Sequence, residues 1–218
     1  MSMTAAQVIQ KAFLHAQRKA TPPAQGSPKY LALLGIVDSM QKLWAAEPDT
    51  DWDSLYEDKV LSATAPLSNT VTLDASIDYL IKMESNPVLI GTTEFKVVSP
   101  KQLYTFKDSN VCAQIGSNLK FSKTLDSSLT GLSIQVPAIM RIGDITATDG
   151  SDVVQVDDPM WLVYASAAEF NRNDLVKVAQ YENLLNLADQ LMQKMKSKNI
   201  SSVQEVEIAW QPDGESWV

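Results

Sequence analysis

One cysteine, one histidine and eight glycines in 218 residues remove several kinds of chemistry at the outset. A single thiol, Cys112, permits no internal disulfide framework and suits a reducing compartment. It lies in the apolar, strand-like run "NVCAQIG", where a free cysteine ordinarily packs as a small hydrophobe. His15 falls opposite the apolar stripe of its helix and reads as a surface residue, so spacing gives no support to a Cys–His dyad. Glycine-dependent phosphate loops of the type G-x-x-x-x-G-K-[ST] or G-x-G-x-x-G are absent, as is a G-x-S-x-G elbow. Positive charge is also scarce. With 18 Lys and Arg against 26 Asp and Glu, the net charge of −8 argues against gripping phosphate backbones by counterion release. It is compatible with a surface past which DNA slides. The longest apolar run, "LALLGIV", falls far short of the ~18 residues of a membrane span. The start, "MSMTAAQVIQKAF", has no basic stretch followed by an apolar block. The expectation is a soluble protein made in the cytoplasm, with no membrane contact, cofactor or metal.

What is present is organised from both ends. Thr4 and Gln7 form a capping box, and Val8, Ile9, Ala12, Phe13 and Ala16 repeat at helical spacing until "TPPAQGSP" ends the helix. Ser27 and Pro28 open a second helix, whose stripe runs from Tyr30 to Trp44. From 57 to 156 the pattern changes to short alternating runs rich in Thr, Val and Ile, read as antiparallel strands. Asp149-Gly150 is the strongest hairpin signal among them.

Helix resumes in "DDPMWLVYASAAEFNRND", where Asp157 or Asp158 caps and Pro159 takes the first turn. Trp161, Tyr164 and Phe170 help make this helix apolar nearly all round, which predicts a place at the centre of a core or an assembly. The last helix carries Leu184 and Leu191 on its seam, ends in Lys194, Lys196 and Lys198, and has Asn199 suited to a left-handed stop. An extended, strand-like tail is expected after it, with Trp210 and Trp217 as anchors for a partner.

These readings predict an α+β fold: a discontinuous helical bundle, α-α then α-α, with a β-strand-rich middle insertion and an extended C-terminal tail. The expected boundaries are 1–56 for the first helix pair, 57–156 for the insertion, 157–200 for the second pair and 201–218 for the tail.

Candidate chemistry is thin. Asp49, Asp51 and Asp53 have the alternate spacing of a calcium loop, but Ser54 stands where the turn needs glycine and Val60 where a bidentate glutamate belongs. Asp144, Asp149, Asp152, Asp157 and Asp158 make a second acidic cluster, part of it explained by turns and caps. Glu169 could act as a tuned general acid, though pairing with Lys or Arg is the plainer fate of such a carboxylate. No catalytic residue is assigned. The competing reading is a small cytoplasmic enzyme built on Glu169, Tyr164 and the acidic loops.

The two helical ends resemble the head-to-tail adaptor (connector) proteins of tailed bacteriophages. The resemblance lies in "AQVIQKAFLHAQ", "KYLALLGIVDSMQKLWAAEP" and "DDPMWLVYASAAEFNRNDLVKVAQYENLLNLADQLMQKMKSKN". It rests on pattern and order, and the middle region has no counterpart in it. The resemblance implies a structural virion protein of the neck, forming a ring, commonly a dodecamer, beneath the portal. Such a ring joins capsid to tail and extends the channel for double-stranded DNA. It also implies as partners the portal protein, neighbouring copies of the chain, and a tail or tail-completion protein. By the same implication, Val206, Ile208, Trp210 and Trp217 would reach the portal. The acidic residues Asp49, Asp51, Asp53, Asp149 and Asp152 become candidates for a channel-facing or loop surface. Another neck protein, such as a tail terminator, is the remaining alternative.

Overall fold

The computed structural model describes residues 2–17, 21–47, 50–82, 86–106 and 109–208, with side chains described through Asn199. In order, the chain forms α1 (Ala5–Gln17), α2 (Pro28–Ala45), β1 (Tyr56–Thr64), β2 (Thr70–Thr72), β3 (Ile77–Leu80) and β4 (Val88–Ile90). It continues through β5 (Thr93–Val97), the single-turn α3 (Pro100–Leu103), β6 (Val111–Ile115), β7 (Asn118–Phe121) and β8 (Ser133–Met140). Then come α4 (Pro159–Asn171) and α5 (Val178–Ile208). Two compact units result, one made of Met1–Ser54 with Ile142–Val218 and the other of Leu55–Arg141.

The expected fold class is corrected. The chain is a mixed α/β protein with five helices, and its middle is one eight-stranded, nearly barrel-shaped sheet. Strand order is β1-β8-β4-β5-β6-β7-β2, with β3 also pairing β8. Two-residue loops at Gly91, Thr92 and at Gly116, Ser117 make tight hairpins. The sequence reading allowed only antiparallel pairs. Instead, α3 carries the chain over so that β6 lies parallel to β5, Lys96 opposite Val111.

All eight strands give side chains to a single core, among them Leu61, Val71, Ile77, Ile90, Phe95, Cys112, Phe121 and Ile134. Phe95 and Phe121 meet edge to face at 4.9 Å within it. A flat sheet cannot bring its two outermost strands to one core, so the sheet must curl. Its edges are stitched by side chains. The Asp74 carboxylate, just past β2, accepts from Ser62 N at 3.2 Å and Ser62 Oγ at 3.1 Å on β1. Covering an open edge in this way leaves less unpaired backbone for another chain to add to.

In the other unit, α4 is the central element. Asp158 accepts from Met160 N at 2.9 Å, Pro159 takes the first turn, and nine of thirteen residues are buried. Packing against α1, α2 and α5 explains why the helix can be apolar on almost every side. These helices are not held by one another alone, which is a second departure from the expected bundle. An irregular strap, 142–156, is built among them. It accepts from Ala5 N at Asp152 O (2.8 Å), from Ala6 N at Gly150 O (2.9 Å), and from Gln41 Nε2 at Gly143 O (2.9 Å). Asp149-Gly150 does turn, but the expected hairpin does not form. Val153 pairs with Thr4 instead of with the strap's own other arm.

The expected extended tail is corrected as well. The last helix does not stop near Asn199 but continues to Ile208, 31 residues and about 46 Å of helix. Asn199 is buried and its amide serves a distant partner: Nδ2 donates to Asp51 O at 2.6 Å, and Oδ1 accepts from Asp53 N at 3.2 Å.

Candidate functional site

The most shaped surface of the helical unit is a groove of about 300 Å³. Its floor is Trp161, Ala165 and Ala168 from α4 with Leu185, Ala188 and Met192 from α5, closed at one end by Met40 of α2. Alanines at 165, 168 and 188 make the hollow, because small side chains on facing helices leave space that larger ones would fill. Three acids stand on its rim. Glu47 is paired with Lys196, and Glu169 with Arg172 at 3.3 Å on its own helix. Asp189, exposed, makes no ion pair among the described residues. Glu169 thus meets the plainer fate expected of it.

The other residues named from the sequence are placed as follows. Trp161 and Leu184 are buried, and Leu191 is half-buried. Phe170 meets Phe13 edge to face at 5.9 Å, with Lys29 Nζ 5.7 Å from both rings. Tyr164 meets His15 at 5.1 Å between ring centres, so His15 is half-buried against an aromatic neighbour rather than free on the surface. These contacts pack α1 onto α4 and bring no nucleophile beside a base.

Most of the acidic candidates are engaged locally. Asp152 Oδ2 accepts from Thr146 N at 2.7 Å and Ala147 N at 2.8 Å, bracing the strap. Asp149 accepts from Ser151 N at 3.0 Å, and that backbone bond holds its carboxyl below the usual range. Asp144 shares Lys42 with Asp38, each at 2.6 Å. Asp53 opens the short turn Asp53–Leu55, and Asp51 and Asp53 are tied through their backbone to Asn199. Asp49, Trp210 and Trp217 lie outside the described residues, while Val206 and Ile208 fall on the last two turns of α5. No group of three or more His, Cys, Asp or Glu placed to hold a metal occurs among the described residues.

Two groups in the sheet unit titrate abnormally, and both are structural. Burial pushes the Cys112 thiol up to about 12, and its sulfur lies against the carbonyls of Phe95 and Lys96. A thiol that stays protonated is a poor nucleophile. Iodoacetamide is therefore expected to leave the native chain unlabelled and to modify Cys112 only on unfolding. Prompt stoichiometric labelling of native protein, read by mass spectrometry, would contradict that burial. Tyr56 is likewise raised to about 12, by burial first and then by its bond to Asp58, while Asn86 donates to its oxygen.

Sequence reasoning missed two features. Trp44 and Trp52 stack at 4.5 Å, and Trp52 Nε1 donates to Trp44 O at 2.9 Å, clasping the end of α2. Asn171, buried at the end of α4, donates to Ala16 O at 3.2 Å and so satisfies a carbonyl at the end of α1. Asparagine near a helix end was a visible signal in both 171 and 199; the partner was not.

No protein-family model matches this chain, and no curated protein matches it. No helix among the described residues is long and apolar enough to cross a membrane.

Proposed function

We propose that the chain is a structural subunit of a bacteriophage neck, one copy of a ring that sits beneath the portal and extends the DNA channel. The observation that carries this reading is the meeting of the two resembling ends. Residues of α1 and α2 and residues of α4 and α5, far apart in sequence, fold into one compact unit around α4. The segments that resemble adaptor proteins thus behave as a single building part. The charge of −8 favours the same role, since a wall rich in carboxylates repels passing phosphate. In this reading the partners are the portal, neighbouring copies and a tail-completion protein, and the protein resides in the virion.

Contact with the portal falls to the end of α5 and the residues beyond it, with Val206, Ile208, Trp210 and Trp217 as anchoring side chains. Apolar and aromatic anchors of this kind carry most of the energy of an interface. Electron microscopy of the protein mixed with its portal tests the reading, and an added ring of density below the portal is expected. Removing 201–218 should leave the remaining fold intact by circular dichroism yet abolish attachment. Attachment unchanged by that deletion removes the anchoring role. A monomer that ignores the portal removes the whole reading.

A further inference from the structure

The turn between α4 and α5 presents two aliphatic side chains almost wholly to water. Leu175 is 89% exposed and Val176 94%, with Val178 at 47% beside them. This is not a slack loop. Residues Leu175–Lys177 form one helical turn capped by Asp174, which accepts from Val176 N at 3.1 Å and pairs with Lys177 at 3.5 Å. A firm scaffold that displays an apolar pair is the geometry of an anchor seeking a pocket.

The same unit carries a receptor of matching chemistry. The groove on α2, α4 and α5 has an apolar floor, and its size, about 300 Å³, sits at the small end for ligand pockets, suited to a side-chain anchor. Its rim is acidic, and Asp189 has no cation paired with it among the described residues. The elbow brings the opposite charge: Lys177 and Arg172 flank the aliphatic pair. The groove does not take its own elbow, since Leu175 and Val176 remain exposed. The chain's own last residues are a poor fit, because Asp213 and Glu215 would bring negative charge to a negative rim.

We propose that the elbow at 175–178 of one copy docks into the α2–α4–α5 groove of a second copy. Leu175 and Val176 cover Trp161 and the alanines of the floor, and Lys177 meets Asp189. Two different patches on one chain then meet head to tail, a contact that repeats into a closed ring or an open filament. The inference rests on the ring reading above and deepens it by naming the contact.

The test uses the full chain with two single variants, Val176→Cys and Met192→Cys. A short bifunctional maleimide is added to each alone and to their mixture, Cys112 being buried and silent. Cross-linked dimers are expected in the mixture and not from either variant alone. Dimers from Val176→Cys alone would mean elbow meets elbow, and the proposal falls. A second measurement compares wild type with Leu175→Asp/Val176→Asp, exposed positions where folding should be untouched, by sedimentation and circular dichroism. Self-association should weaken roughly tenfold or more, as losing a pocketed anchor does. Undiminished assembly of that variant overturns the docking and leaves the ring reading standing. A wild type that neither assembles nor cross-links overturns both.

Discussion

Trp52→Ala is expected to destabilise the helical unit by about 3–5 kcal/mol, the range for truncating a fully buried aromatic. Trp52 is 1% exposed and Trp44 is 0% exposed, so the missing ring leaves a cavity that its stacked partner cannot relax into without opening the end of α2. The hydrogen bond to Trp44 O is the smaller part. That carbonyl also accepts from Glu47 N at 3.2 Å and is not orphaned by the change. Trp52→Phe, which keeps most of the stack and loses only the N–H donor, should therefore cost far less than Trp52→Ala. Denaturant unfolding followed at the helical circular-dichroism band gives both numbers, read as a midpoint shift at constant slope. A cost below about 1 kcal/mol for the alanine variant would mean that 50–54 does not clasp α2.

The second large effect is expected at Gly150. Its φ of +72° lies in the left-handed region, which costs an ordinary residue about 1–2 kcal/mol by itself. A Cβ there would also stand 2.6 Å from the Tyr30 hydroxyl and 2.9 Å from Ala6 N, and the second of these is backbone that cannot swing away. The strap would have to withdraw from the start of α1, where Gly150 O and Asp152 O accept from Ala6 and Ala5. It would strain the bond from Tyr30 Oη to Asp149 O at 2.9 Å as well. Gly150→Ala should cost about 2–4 kcal/mol in total. Gly143→Ala is the control, since nothing there lies closer than 3.8 Å to the added carbon. Hydrogen exchange at the Ala5 and Ala6 amides should accelerate in the first variant only. Equal behaviour of the two variants would show that the strap does not grip α1.

What could be read in the sequence was what local chemistry decides. The Asp158 cap, Pro159 at the first turn and an apolar surface all round gave α4 its limits and its burial, because every one of those signals lies within the helix itself. Strand content in the middle region was legible from alternation, but partner choice was not. Alternation says which way a side chain faces, and says nothing of β6 running parallel to β5 or of β8 taking neighbours on both sides. Lys194, Lys196, Lys198 and Asn199 imitate the end of a helix, yet Asn199 bonds to 51 and 53 and the helix runs on. The turn at Asp149-Gly150 was visible, while Val153 choosing Thr4 was a tertiary decision. The groove was hidden for a related reason. Its walls come from three helices between Met40 and Gln193, and the alanines that hollow it look, in sequence, like ordinary helix formers. Leu175 and Val176 were equally disguised, as the plausible first turn of a buried helix.

The place of β8 in the sheet bears on how the protein is made. β8 is the last of the eight strands to leave the ribosome, yet it pairs with β1, β3 and β4 and joins β1 to the rest of the sheet. Until residue 140 has emerged, β1 has waited since residue 56 without its only partner. Throughout that interval the nascent chain carries an unpaired strand edge and the apolar side chains of an unclosed core, the state in which chains associate wrongly with one another. Variants that weaken β8 should therefore lower the yield of soluble protein during synthesis by more than their effect on the finished fold accounts for.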